Sequence, residues 1–208
     1  MNKREAARKR GQGLVEFAVA LPVLIMLLIG VVEIGFALRS YLIVVNATRE
    51  GARFASRGQF ELAEAGTRII LAGGVVSQNV PFLQTGGDRP NTGMIISRMR
   101  IDEFGAYDAL STTYYISGYV PLVLEGTSEM VHITKDHTWV SPTVLLAEHA
   151  SHTISINATR EDANFAPLGE NIVVVEVWYS YHPLWNIPLL PLPDPWIMYS
   201  KAVMREAW

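Results

Sequence analysis

The chain has 208 residues, half of them apolar, a formal net charge of −3 and no cysteine. That length holds one membrane helix and one soluble domain, and the missing thiols exclude disulfides, thiolate catalysis and cysteine-ligated metals. The charge is uneven: residues 1–13 carry Lys3, Arg4, Arg8, Lys9 and Arg10 against Glu5, a balance of +4 that leaves −7 for the remainder.

Directly after this basic leader, Leu14–Leu38 forms a 25-residue apolar stretch interrupted by two carboxylates, Glu16 and Glu33. At ~1.5 Å per residue it spans roughly 37 Å, enough to cross a ~30 Å hydrocarbon core with some tilt. It is far longer than the ~7–15 apolar residues of a secretory signal, so we read it as a retained membrane anchor in contact with the lipid bilayer. Lys and Arg concentrate on the cytoplasmic side of a span. The expected topology is therefore single-pass in the inner (plasma) membrane, with the N-terminus cytoplasmic and the acidic remainder outside. Because the basic run abuts the span, it reads as a topology signal and not as a nucleic-acid site.

The helical pattern does not stop at the span. Residues 39–57 keep apolar or small side chains at three- and four-residue steps, and no Pro or Gly pair interrupts 36–50. One helix from about Leu14 to Arg57 is expected, against the alternative of a break near Ser40. Gly51, Ala52 and Ala55 would lie on a face that packs against a β-sheet of the later strands, the alternative being a partner subunit, with Arg49, Glu50 and Arg53 nearer water. Pro22 removes one helical N–H and should loosen or kink the span.

A helix-like segment, Phe60–Leu71, ends at Gly73-Gly74, and a turn-rich loop runs through Pro81, Gly86-Gly87-Asp88 and Pro90–Gly93. The pattern then turns to β, with strands expected in Met94–Phe104, Thr112–Val120, Glu129–Val140, Ser151–Ala158, Asn171–Tyr181 and Ile197–Glu206. The fold class is thus α+β: a long N-terminal helix packed on a mainly antiparallel sheet, with 1–13 as leader, 14–38 as span, 39–57 as exported helix and 58–208 as exported domain. Between the last two strands, residues 182–196 (HPLWNIPLLPLPDPW) are stiff and apolar. Two readings stand: this loop folds over the domain's own core, or it is presented to a partner or to lipid.

Enzyme chemistry finds little footing. Glu148, His149 and His152 form E-H-x-x-H, not the H-E-x-x-H of zinc peptidases, and a strand there would send the two histidines to opposite faces. The pairs Asp102-Glu103 and Glu161-Asp162 read as solvated turns. No catalytic residue, metal or cofactor is expected.

Several strings resemble the TadE-like proteins, minor pseudopilins of the tight-adherence (Flp) pilus system. They are Gly11-Gln12-Gly13-Leu14-Val15-Glu16-Phe17-Ala18, Leu21-Pro22, Gly30 with Glu33 and Gly35, and Asn46–Arg53. A hydrophobic strand, a proline-rich loop and a last strand ending Ala202-Val203-Met204-Arg205-Glu206 extend the likeness to the C-terminal end. The resemblance implies a pilin-like fold, partners among other pilin-like subunits and the pilus assembly machinery, and processing by a prepilin peptidase. Cleavage between Gly11 and Gln12 would make Glu16 the fifth residue of the mature chain, whereas Gly13 offers a competing site that puts Glu16 third.

The resemblance also assigns Glu16, Phe17, Pro22 and Glu33 to subunit assembly. Physically, a carboxylate at the inner end of a span needs a cation. A freed α-amino group on a neighbouring subunit would supply one and set axial register; the alternative is that Glu16 reaches the headgroups or Arg10. Glu33 lies about 100° round the helix from Glu16 and needs a separate partner, expected to be Arg39 or water. The competing function is a membrane-anchored extracytoplasmic binding or accessory domain. That reading leaves Glu16 unexplained, and a tethered sensor would be expected to carry an output domain larger than 13 residues.

Overall fold

The computed structural model describes residues 3–57, 72–78, 91–124, 127–132, 142–163, 167–185 and 195–206. A single helix, α1 (Lys3–Ser56), runs 54 residues without a break, through Pro22 and past Ser40. Five strands follow: β1 (Thr92–Ile101), β2 (Tyr107–Leu124), β3 (Thr127–His132), β4 (Glu170–Tyr181) and β5 (Trp196–Arg205), with helix α2 (Pro142–Asp162) between β3 and β4. The sheet order is β3-β2-β1-β4-β5, and every neighbouring pair is antiparallel. The protein is therefore α+β, with an N-terminal helix long and apolar enough to span a membrane.

β2 serves two partners. Its first part pairs with β1 up to Gly118, and Tyr119–Leu124 pairs with β3. Gly118 marks the change with φ of 90°, and a Cβ there would collide with the Thr92 carbonyl. Only glycine tolerates both conditions.

α1 lies along the strands of one sheet face. At its lower end Glu33 meets Tyr181, the last residue of β4; at its upper end the Ser56 hydroxyl lies 3.7 Å from Met204 Sδ on β5. Lengths agree with this alignment: residues 33–56 rise about 35 Å as helix, and β4 extends a similar distance at ~3.3 Å per residue. Between the two ends, Ala37, Val44, Ala47, Ala52 and Ala55 form one buried cluster with Met94, Ile96, Val173, Val175 and Val177. The opposite face buries Ile95, Met99, Ile101, Ile172, Val174 and Trp178. Central strands covered on both faces explain why β4 reads as a near-continuous run of Val and Ile.

Several expectations are corrected. Ser151–Ala158 is not a strand but the second half of α2. Its β-branched residues gave a β signal, yet the Thr153 and Thr159 hydroxyls donate to carbonyls four residues back and so fit a helix, and Pro142 opens it where a missing N–H costs nothing. His149 and His152 are consequently three apart on a helix and not on opposite faces of a strand. Gly73-Gly74 does not end a helix: both sit within helical residues 72–78, where Gly73 receives the Tyr115 ring. The strand expected over Glu129–Val140 is Thr127–His132, and residues 133–141 lie outside the described residues, as does Phe60–Leu71. Of the proline-rich segment, 186–194 lies outside the described residues, and Trp196 already belongs to β5.

β1 also carries a buried charge. Arg98 is buried, with Nε and Nη2 donating to Glu206 Oε2 at 3.0 and 2.6 Å. Both side chains are more than nine-tenths covered. Removing one partner would leave an uncompensated buried charge.

Candidate assembly surface on the membrane helix

α1 divides near residue 33. Below that level nearly every side chain is exposed: Leu14, Val19 and Val31 each keep about 70% of their surface open (71%, 71% and 68%). Only 6% of the most apolar 18-residue window is buried within the chain, so this is not the core helix of a soluble domain. An apolar cylinder of this length needs lipid or other helices around it. The helix fits a single-pass membrane anchor.

Within that cylinder Glu16 is exposed, and among the described residues it has no hydrogen bond or ion pair. Phe17, its neighbour, is 58% exposed. Pro22 sits inside the continuous helix and leaves the Ala18 carbonyl without its usual N–H. Among the described residues, none packs over these three side chains. Gly11 and Gln12 lie within α1, which runs from Lys3.

Glu33 differs in kind. It is 1% exposed, and its Oε1 accepts the Tyr181 hydroxyl at 2.7 Å and the Leu184 backbone N–H at 3.0 Å. Among the described residues its partners are the end of β4 and the start of the proline-rich segment, and not the expected Arg39. Oε2 is buried without a hydrogen bond among the described residues. Burial, and then the hydrogen bond and charge of Glu33, push the Tyr181 phenol up from its ordinary value of 10.0. A neutral tyrosine donating to a carboxylate is a strong, charge-assisted bond, and it ties α1 to the sheet in one axial register. Sequence reading missed Tyr181 and Leu184; the available signal was a tyrosine closing an apolar strand beside a span containing a carboxylate.

Above Glu33 a stripe of small residues permits close approach. Ala52 is fully buried and Ala55 nearly so, both in the cluster with β4 and β5. Gly51 faces Val76 more closely than the sheet: a Cβ there would overlap Val76 Cγ2, while Val175 stands 3.9 Å away. Thr48, buried on the same stripe, donates to the Val44 carbonyl at 2.7 Å, which hides its hydroxyl. Arg53 and Glu50 form a loose pair at 4.0 Å on the outer side. Such an exposed i,i+3 pair contributes little.

Fold and surface together define an α+β protein whose N-terminal helix fits a single-pass membrane anchor below Glu33 and packs on the sheet above it. Comparison with known families agrees: the family described as TadE-like protein matches residues 11–53, the segment holding Glu16, Pro22, Glu33 and Gly51. The chain therefore carries a TadE-like N-terminal segment, which covers 43 of its 208 residues. No curated protein and no solved structure matches the chain.

Proposed function

We propose that the chain is a minor pilin-like subunit that acts in assembly of a tight-adherence pilus, packing through the lower half of α1 against other pilin-like subunits. The observation that carries this reading is Glu16, a carboxylate on an apolar helix with no partner among the described residues, inside the segment matched by the TadE-like family. In lipid such a group costs several kcal/mol unless paired, and the cation that suits it is a processed N-terminus on a neighbouring helix. The protein then works by association and not by catalysis. Its N-terminus is cytoplasmic, the sheet domain is extracytoplasmic, and a prepilin-type peptidase removes residues 1–11 to leave 197 of the 208 residues.

Photocrosslinkers placed at Phe17 and Val23 in cells that assemble pili test the reading. Adducts with other pilin-like subunits are expected. Adducts with lipid alone would contradict it and leave a membrane-anchored accessory domain. Intact mass of the native protein tests processing: loss of residues 1–11 is expected, and a full-length mass in cells with active peptidase would contradict it.

A further inference from the structure

We infer that the lower end of the sheet domain is itself a lipid-contacting surface, with Leu184, Trp185 and Trp196 seated in the headgroup zone of the leaflet that α1 leaves. The inference rests on the reading of α1 as a membrane anchor and goes beyond it: the domain is docked on the bilayer, not held above it on a stalk.

The level of the membrane follows from α1. About 20 helical residues cross a ~30 Å hydrocarbon core. Counted from Gly13, where the basic leader ends, they reach Val32–Glu33. The headgroup zone adds about 5–7 Å on each side, which α1 crosses between Glu33 and roughly Leu38. Arg39, the first basic residue after Arg10, then stands among the phosphates.

The domain descends to that level. Leu184 donates its N–H to the Glu33 carboxylate, so its backbone is fixed at the depth where α1 leaves the hydrocarbon. Trp196 pairs with Tyr181 across β4 and β5 and lines an apolar groove with Ile34, Ala37, Leu38 and Tyr41. Along the span itself, Met26, Ile29 and Gly30 are half-buried.

The side chains suit the zone. Leu184 is 60% exposed, Trp185 43% and Trp196 38%, three large apolar groups at one end of the domain. Singly they would be unremarkable surface residues. Together, beside a helix whose lipid-facing side is equally apolar, they continue a single hydrophobic surface. Tryptophan is enriched at this depth in membranes because its ring is apolar and its N–H polar. At the opposite end of the domain, some 35 Å up the strands, the exposed large apolar groups among the described residues include Phe104, Ile156 and Leu168, and none of them is a tryptophan.

The absence of cysteine makes the test clean. Full-length chain with Leu24→Cys, Leu184→Cys, Trp196→Cys or Phe104→Cys is spin-labelled in vesicles of phosphatidylethanolamine and phosphatidylglycerol. Accessibility to oxygen is then compared with that to a water-soluble nickel chelate. Labels at 184 and 196 should fall between Leu24 in lipid and Phe104 in water. Labels at 184 and 196 as nickel-accessible as 104, with 24 still in lipid, would overturn this inference alone; label 24 in water would overturn the anchor reading as well. Wild-type tryptophan fluorescence in brominated lipid is the check without thiols: it should be quenched, and Trp185→Phe with Trp196→Phe should remove most of the quenching. Unchanged quenching in that double variant would also overturn the inference.

Discussion

The two halves of α1 are built from one uninterrupted helix but solve opposite problems. From Leu14 to Val32 most side chains are apolar and exposed; from Glu33 to Ser56 a stripe of small or capped residues is buried against β4 and β5. Of the two carboxylates in the apolar stretch 14–38, one falls in each half. Glu33 is enclosed and takes two donors from its own domain, whereas Glu16 takes none among the described residues. The contrast teaches that a charge in an apolar helix has no fixed meaning. Glu33 joins helix to sheet within the chain, whereas Glu16, on the function proposed above, is left for a neighbouring subunit.

If that division is right, substitutions in the domain and upper helix should lower stability, and those in the lower helix should not. The largest loss is expected at the far end of the sheet. Arg98→Ala strands Glu206 in a covered site and should cost about 3–5 kcal/mol, read as thermal unfolding of the full chain in detergent. Wild-type stability in that variant would mean the pair is solvated. Tyr181→Phe removes a donor from the buried Glu33 carboxylate and should cost about 1.5–3 kcal/mol. A neutral result would show that Glu33 does not join helix to sheet. Ala52→Leu and Ala55→Leu push a larger side chain into the helix–sheet contact and should cost about 1–3 kcal/mol; unchanged melting temperatures would assign that face to a partner instead.

The smallest effect concerns pH. Burial and a hydrogen bond to a carboxylate raise the phenols of Tyr181 and Tyr199 above the ordinary 10.0, through Glu33 and Glu176 respectively. The folded state therefore favours the neutral phenol. Stability from this source is complete below pH 10 and is lost as pH climbs toward the raised folded values. Melting temperature should fall above pH 10, and Tyr199→Phe should make the fall shallower. An identical pH profile in that variant would remove Tyr199 from the account.

What the sequence made legible were features carried by local pattern. The length of α1, its small-residue stripe and strands β1, β4 and β5 follow from periodicities within one segment. The partners of Glu33 and Arg98 are not legible in the sequence for a common reason. Their partners, Tyr181 and Glu206, lie more than a hundred residues away in sequence. Arg98 occupies an alternating position that a one-sided sheet would turn to water; here both faces of β1 are covered. α2 was hidden because Thr153, Ile154 and Ile156 favour strands locally, while contacts with the rest of the domain hold them in a helix. There the single Thr153 hydroxyl proton is shared between the His149 carbonyl at 3.1 Å and Glu170 at 2.8 Å, and Asn157 bonds the backbone of Leu168 and Glu103.

The central claim is that Glu16 joins this chain to other subunits while Glu33 holds the chain together. The direct measurement is co-purification of pilin-like partners from membranes with wild type, Glu16→Ala and Glu16→Gln, alongside the melting temperature of each. Partner recovery should collapse in both variants, because glutamine keeps the shape but not the charge, and melting should stay at the wild-type value. Full recovery of partners with both variants would contradict the claim and leave Glu16 as a residue that merely reaches the headgroups.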